Sequence, residues 1–107
     1  MSEEYTEDLQ KLYIEFLLAE KDLFVRCNAI TNSKYFTRKY QPVMDFIQEH
    51  VDGYNDLPTH EQIKAKVGQE FDDVRDKITD DHKKWFMDEY EKFCRHKALE
   101  GAILESA

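Results

Sequence analysis

The sequence is poor in the residues that make tight turns. It has three glycines and two prolines in 107 residues, too few for the many turns of a β-sandwich or β-barrel. It has no apolar run of membrane-spanning length, so no contact with a membrane is expected. Its N-terminus, Met1-Ser-Glu-Glu, lacks the basic region and apolar stretch of a secretory signal. These absences favour a soluble protein built from helices.

Cysteine is also scarce, and Cys27 and Cys94 lie far apart in the sequence. Two isolated cysteines without a secretory signal indicate reduced thiols, so we expect a cytoplasmic protein. Both are interpreted as plain buried or half-buried thiols. A catalytic cysteine would need a base brought near it by the fold, which the sequence does not show. An enzyme with a cysteine or histidine site is therefore the least favoured hypothesis.

The charge balance is strongly acidic, with a formal net charge of −8. Such a surface disfavours direct binding to nucleic-acid phosphates, because association must bring like charges together. It leaves two possibilities open, a protein that binds other proteins and an acidic protein that mimics DNA. A DNA mimic should have a dense carboxylate face, whereas here lysine and arginine occur in nearly every segment.

What the chain does contain is material for one core. Hydrophobic residues make up 41% and aromatic residues 13% of a length typical of one domain. We predict that residues 1–107 form a single all-α domain. Its expected architecture is a compact bundle of about five to six helices with a long C-terminal helix.

The stretch from Tyr35 to Gly68 has the clearest local pattern. Thr59 and Gln62 have the spacing of a helix capping box, and Gly68 is a typical C-terminal stop. Before them, Pro42 fits the first turn of a helix that begins between Thr37 and Gln41. Apolar residues in that helix recur every three or four positions, which predicts one buried stripe: Tyr40, Val43, Met44, Ile47, Val51 and Tyr54.

The flanking segments also have helical patterns. A first helix is predicted to begin near Thr6, and a second to run from about Asp22 to Ala29. Tyr35-Phe36 is expected to plug the core. Between Gly68 and the last helix, one or two helical turns are predicted, held by Phe71, Val74 and Ile78. Three acid-to-base pairs four residues apart are expected on helix surfaces: Glu7–Lys11, Asp88–Lys92 and Glu91–Arg95.

The last helix is predicted to begin at Asp80-Asp81 and to run for some 24 residues, about 36 Å at the helical rise. It is long for so small a domain, which indicates self-association through an exposed apolar stripe. The candidate residues are Trp85, Phe86, Met87, Tyr90, Phe93, Ile103 and Leu104. A basic cluster on the same helix, which includes Arg95 and Lys97, is a second candidate contact, for an acidic partner.

Several chemistries find no support in the sequence. The glycines are scattered, so there is no phosphate-binding loop. Cys94 and His96 point to different faces of a helix, and His50 and His60 stand alone, so no metal site is predicted. The segment from Thr59 to Gly68 resembles one helix of a helix-turn-helix DNA reader, but its lysines are few. No catalytic residue and no cofactor is expected within these residues.

The whole pattern resembles the N-terminal domain of DnaB-type replicative DNA helicases, especially the versions from large tailed phages. The similarity extends over residues 9 to 104 and rests on helix-packing positions rather than catalytic ones. Its closest part is His50-Val51-x-x-Tyr54, followed by Pro58-Thr59. The other matching segments are Tyr13-Ile-Glu15-Phe-Leu-Leu18, Asp22-Leu-Phe24, Tyr35-Phe36, Met44-Asp-Phe-Ile47, Trp85 and the run from Glu91 to Ala98.

The resemblance implies a non-catalytic collar domain of a longer helicase. In that family the domain mediates self-association of the hexamer and docks primase or a helicase loader during DNA replication. The motor, its ATP and Mg²⁺ and most DNA contacts belong to a C-terminal domain that this sequence does not contain. The expected location is then the cytoplasm of a phage-infected bacterium. The alternative is a free-standing acidic helical phage protein that binds and inhibits a host nucleic-acid enzyme.

Overall fold

A computed structural model describes residues 5–106, with the side chains of residues 5–101. The described residues form helices and no strand, which confirms the all-α prediction. The five helices also agree with the predicted number. In chain order the elements are α1 (Glu7–Ala19), α2 (Lys21–Asn28), a 3-10 turn (Ser33–Tyr35), α3 (Gln41–Tyr54), α4 (His60–Val67) and α5 (Asp80–Ser106).

Helix α1 is the most deeply buried element. It begins after Thr6, whose Oγ1 accepts a hydrogen bond from the Leu9 N–H at 3.2 Å, as the sequence predicts. All seven side chains from Tyr13 to Ala19 are buried. The helix ends at Glu20, which has an extended backbone, and α2 follows at once.

An aromatic cluster between α1 and α5 forms the centre of the core. The Tyr13 ring lies 6.0 Å from Phe86, 5.6 Å from Tyr90 and 5.3 Å from Phe93. Phe36 packs edge-on against Phe93 at 5.1 Å, so it plugs the core as predicted. Offset and edge-on ring pairs of this kind contribute roughly 0.5–1.5 kcal/mol each beyond the area they bury.

Two buried polar side chains of α1 attach irregular segments to this core. The Gln10 Nε2 donates to the Tyr5 carbonyl and its Oε1 accepts from the Thr37 N–H, both at 2.9 Å. The Glu15 carboxylate accepts from the Asp72 N–H at 2.8 Å. Each partner is a backbone group. Gln10 and Glu15 therefore pair with backbone atoms of irregular segments that would otherwise lack a hydrogen bond.

Helices α3 and α4 form a hairpin with well-defined ends. Pro42 lies in the first turn of α3, and Asn55 closes α3 with a left-handed φ of 56°. Thr59 and Gln62 make the predicted capping box, with N···O distances of 2.9 and 3.0 Å. Gly68 ends α4 with φ 76°, a conformation that glycine adopts without a steric cost.

The end of α3 differs from the prediction. Tyr54, assigned to the buried stripe, is 75% exposed, whereas Tyr40, Met44 and Ile47 of that stripe are buried. Val51 is half-buried. The last turn of α3 extends beyond the core. Tyr54 keeps the helical spacing of the stripe, but no other element covers it there.

The segment between α4 and α5 forms a single turn and no helix, the lower limit of the prediction: the Val74 carbonyl accepts from the N–H groups of Lys77 and Ile78 at 2.9 and 3.2 Å. Phe71 and Val74 are buried at 9% exposure, and Ile78 is half-buried, so the three anchors are as expected. The backbone follows a local turn, in which the Asp73 carboxylate accepts from the Arg75 N–H at 3.1 Å. Aspartate favours such turns because its side chain competes with helical hydrogen bonds.

Helix α5 is capped one residue earlier than predicted. Thr79, rather than Asp80 or Asp81, accepts from the His82 N–H at 3.2 Å, and His82 Nδ1 accepts from the Thr79 N–H at 3.1 Å. The two acids occupy the first turn, where they favour the positive end of the helix dipole. The helix is 27 residues long, slightly longer than predicted.

The predicted surface ion pairs form in part. Glu91 and Arg95 pair at 2.9 Å. Lys92 and Lys11 instead pair within their own helices, with Glu89 at 3.7 Å and Glu15 at 3.9 Å. Glu7 pairs with Lys39 at 3.9 Å, from a distant segment. Except for Lys11–Glu15, whose carboxylate is buried, these pairs are on the surface, where an ion pair contributes only about 0–1 kcal/mol.

Candidate protein-binding surfaces

Three residues predicted to mediate self-association lie in the core. Phe86, Tyr90 and Phe93 are 0% exposed. The sequence identified an apolar stripe on α5, but α1 and Phe36 of the same chain cover it. These side chains therefore stabilise the monomer, and a second copy could reach them only if the core opened.

Trp85 and Met87, which were also predicted to mediate self-association, are not fully buried. Trp85 is 43% exposed, and its ring lies 6.1 Å from that of Phe16. Met87 is half-buried, and its Sδ accepts from the Cys27 thiol at 3.6 Å. The side chains of Ile103 and Leu104 lie outside the described part of the chain.

The basic cluster on α5 is neutralised by acids of the same helix. Arg95 pairs with Glu91, and Lys97 lies 3.4 Å from Glu100. His96 Nε2 lies 2.9 Å from the same Glu100 carboxylate. An acidic partner would have to compete with these pairs, so the contact remains a prediction.

A shallow apolar hollow lies where α5 passes the end of α2. It has a volume of about 270 Å³, and Ile30, Tyr35, Cys94 and Ala98 line it, with the Glu91–Arg95 ion pair at its rim. Ile30 is 42% exposed, and Leu99, next to Ala98, is 60% exposed. We call these residues, Ile30, Tyr35, Ala98 and Leu99, the α2–α5 surface.

Sequence reasoning missed a second surface, the groove between α3 and α4. It is open, with a volume of about 940 Å³, and it is lined by Phe46, Glu49, His50, Tyr54, Asp56, Leu57, Gln62, Ala65 and Lys66. Rings of α3 lie along one wall, at positions 46, 50 and 54. Spacing by four is visible in the sequence and could have revealed this row. It was hidden because the stripe assigned to the core includes Tyr54.

The two cysteines are unsuited to nucleophilic chemistry. Cys27 is 1% exposed and Cys94 is 2% exposed, and neither forms a disulfide, which confirms the predicted buried thiols. Burial raises the pKa of Cys27 to about 11 and that of Cys94 to about 12. Because the thiolate is the nucleophile, a raised pKa and burial both disfavour reaction of these thiols at neutral pH.

Neither a metal-ligand cluster nor a membrane-spanning helix occurs in the part of the chain that the structure describes. No group of three or more His, Cys, Asp or Glu side chains there could hold a metal ion. Among the same residues, no helix combines the length and apolar character needed to cross a bilayer.

No protein-family model matches this chain, and neither a curated protein nor a solved structure is significantly similar to it. The resemblance to helicase N-terminal domains therefore rests on the sequence pattern, and functional inference depends on the surfaces described above.

Proposed function

We propose that this chain is the protein-docking and self-associating domain of a DnaB-type, phage replicative helicase, without catalysis of its own. One observation carries the proposal. Cys94 is the last buried side chain of α5 within residues 5–101, yet the helix continues to Ser106. Ala98 and Leu99 are exposed on this continuation.

The continuation of α5 is the part that a second copy would cover. A partner that covers the exposed leucine beside the hollow removes apolar surface from water. This burial favours association by about 25 cal/mol for each Å². A partner helix laid along the α2–α5 surface would bury Ile30 and Leu99 together. Helices that pair in this way are the usual means by which small helical domains associate.

The remaining functions are assigned by resemblance. In such a helicase, ATP, Mg²⁺ and the motor belong to the C-terminal domain, while this domain docks primase or a helicase loader. The acidic surface supports this division, because a collar with negative charge would not hold the DNA strand that passes through the ring.

The alternative, an acidic inhibitor that mimics DNA, has less support. A mimic needs carboxylates that face a partner without neighbouring bases. Here acids in several segments are already paired, for example Glu20 with Lys83 at 2.6 Å and Glu70 with Lys64 at 3.1 Å.

Self-association is tested by light scattering across a concentration series. The wild-type chain should exceed the monomer mass at high concentration, and Leu99→Asp and Ile30→Asp should each restore the monomer without loss of helicity. Val25→Asp is the matched control, because Val25 is 55% exposed on α2 but, unlike Leu99, does not adjoin a residue that lines the hollow. A wild-type monomer at every concentration, or an equal effect of all three variants, would contradict the proposed surface.

The helicase assignment has a separate test. The reading frame of the gene should continue past Ala107 into a segment with a Gly-x-x-x-x-Gly-Lys-Ser/Thr loop, the phosphate-binding motif of a helicase motor. A stop codon directly after Ala107 would contradict the assignment and leave the self-association result unaffected.

A further inference from the structure

The groove between α3 and α4 has an aromatic wall, of which only the Phe46 end packs against the core. The His50 ring lies 4.7 Å from that of Tyr54 and 5.8 Å from that of Phe46. Tyr54 is 75% exposed, and Phe46 and His50 are half-buried. The planes of neighbouring rings are tilted by 43° and 65°, so the three rings form a stepped aromatic row about two turns long, which we call the platform.

The platform is held in a defined geometry. His50 Nδ1 lies 2.9 Å from the Asp56 carbonyl oxygen, which can only accept, so Nδ1 carries the hydrogen. Leu57 N–H donates to the Asp56 carboxylate at 2.9 Å, which fixes the turn after α3. Because the ring and the turn support each other, the platform exists before any partner binds.

The α3 side of the groove and the turn after it have acids but no lysine or arginine. Residues 41–63 contain five acids, Asp45, Glu49, Asp52, Asp56 and Glu61, and no lysine or arginine. Glu49 lines the groove, and within the described residues it makes no ion pair. The base that lines the opposite wall is Lys66, on α4. Of the five acids, Glu49 and Asp56 line the groove, so a cationic group that enters along α3 meets these carboxylates beside the rings.

Arginine is the side chain that satisfies both features. Its planar guanidinium stacks on aromatic rings and pairs with carboxylates through two parallel hydrogen bonds. We propose that the α3–α4 groove binds an arginine-bearing, amphipathic segment of a partner protein, with a guanidinium on the platform of Phe46, His50 and Tyr54 and paired with Glu49.

The same observations disfavour other occupants. Nucleic acid would bring phosphates against the acids of residues 41–63. A second copy of the groove would bring the same acids against themselves. The proposal depends neither on the helicase assignment nor on the α2–α5 surface, so failure of either leaves it unaffected.

The test uses the full chain and two synthetic probes. The first is a fluorescein-labelled peptide of leucine, alanine and arginine, with its leucines at helical spacing on one face. The second is the same peptide with every arginine replaced by glutamate. Fluorescence anisotropy measures binding, and amide NMR spectra locate it. The arginine peptide should bind saturably and shift the amides of Phe46, His50, Tyr54 and Ala65, whereas the glutamate peptide should not bind.

Matched variants then separate a specific site from general attraction. Glu49→Lys and Asp88→Lys change the net charge equally, and both residues are exposed, but Asp88 lies on α5. Glu49→Lys, and Ala65→Arg on the α4 wall, should each weaken binding roughly fivefold or more. Asp88→Lys should have a much smaller effect.

Four outcomes would overturn the proposal. They are the absence of saturable binding, equal binding of the two peptides, equal loss in Glu49→Lys and Asp88→Lys, and amide shifts on another face. Groove amides that shift with protein concentration before any peptide is added would assign the groove to a second copy instead.

Discussion

The Tyr90 hydroxyl lies 2.8 Å from Thr31 Oγ1 and connects α5 to the end of α2. Thr31 donates its own hydrogen to the Cys27 carbonyl at 2.8 Å, so it must accept the hydrogen of Tyr90. Tyr13, also 0% exposed, has a hydroxyl with no hydrogen-bond partner among the described residues. Two buried tyrosines whose rings are 5.6 Å apart thus differ in whether their polar atom is satisfied.

Removing the two hydroxyls should therefore have opposite effects. Tyr13→Phe deletes an unsatisfied polar atom and should raise the free energy of unfolding by about 1 kcal/mol. Tyr90→Phe deletes a satisfied one and should lower it by about 1 kcal/mol. Urea unfolding followed by circular dichroism measures both. Changes of the same sign would show that burial of the hydroxyl, rather than its hydrogen bond, dominates.

The raised pKa values of the two cysteines predict that the protein loses stability at alkaline pH. Burial raises the pKa of Cys27 and Cys94 above the ordinary value of 9. An acid whose pKa is raised in the folded state binds its proton more tightly there, so its contribution is complete below pH 9 and declines as pH rises toward 11 or 12. Each thiol should remove up to about 1.4 kcal/mol per pH unit in that range.

Unfolding measured as a function of pH tests this contribution. Replacing both cysteines by alanine lowers stability at neutral pH, because it leaves cavities, but it should flatten the decline above pH 9. Burial also raises the pKa of Tyr13 and Tyr90, so some decline should remain in the variant. Identical slopes in both proteins would exclude the thiols as the cause.

Two glycines offer a test of backbone conformation alone. Neither Gly53 nor Gly68 has an atom within 4 Å of an added Cβ, but only Gly68 has a positive φ, of 76°. Gly53→Ala should stabilise the protein by about 0.5–1 kcal/mol, because alanine favours the helix. Gly68→Ala should destabilise it by about 1–2 kcal/mol, because alanine is strained in the left-handed region. Thermal unfolding compares them, and destabilisation by Gly53→Ala would contradict the account.

The tertiary structure decided which apolar residues are in the core and which are on the surface. Phe86, Tyr90 and Phe93 have the same helical spacing that an exposed contact stripe would have, and only the position of α1 shows that they are internal. Tyr54 is the converse, since its spacing fits a buried stripe but α3 extends past the core. Gln10 and Glu15 could not be identified as buried, because their backbone partners are distant in sequence.

The sequence by itself determined the class of fold and the ends of most helices. Thr6, Thr59, Gln62 and Gly68 act through neighbours a few residues away, so their roles can be predicted from local spacing. Contacts between distant segments decided the rest, including the irregular link before α5 and the aromatic platform on α3. The physical reason is the distance along the chain over which each interaction acts. Capping and periodicity depend on adjacent turns, whereas burial depends on which helix packs against which.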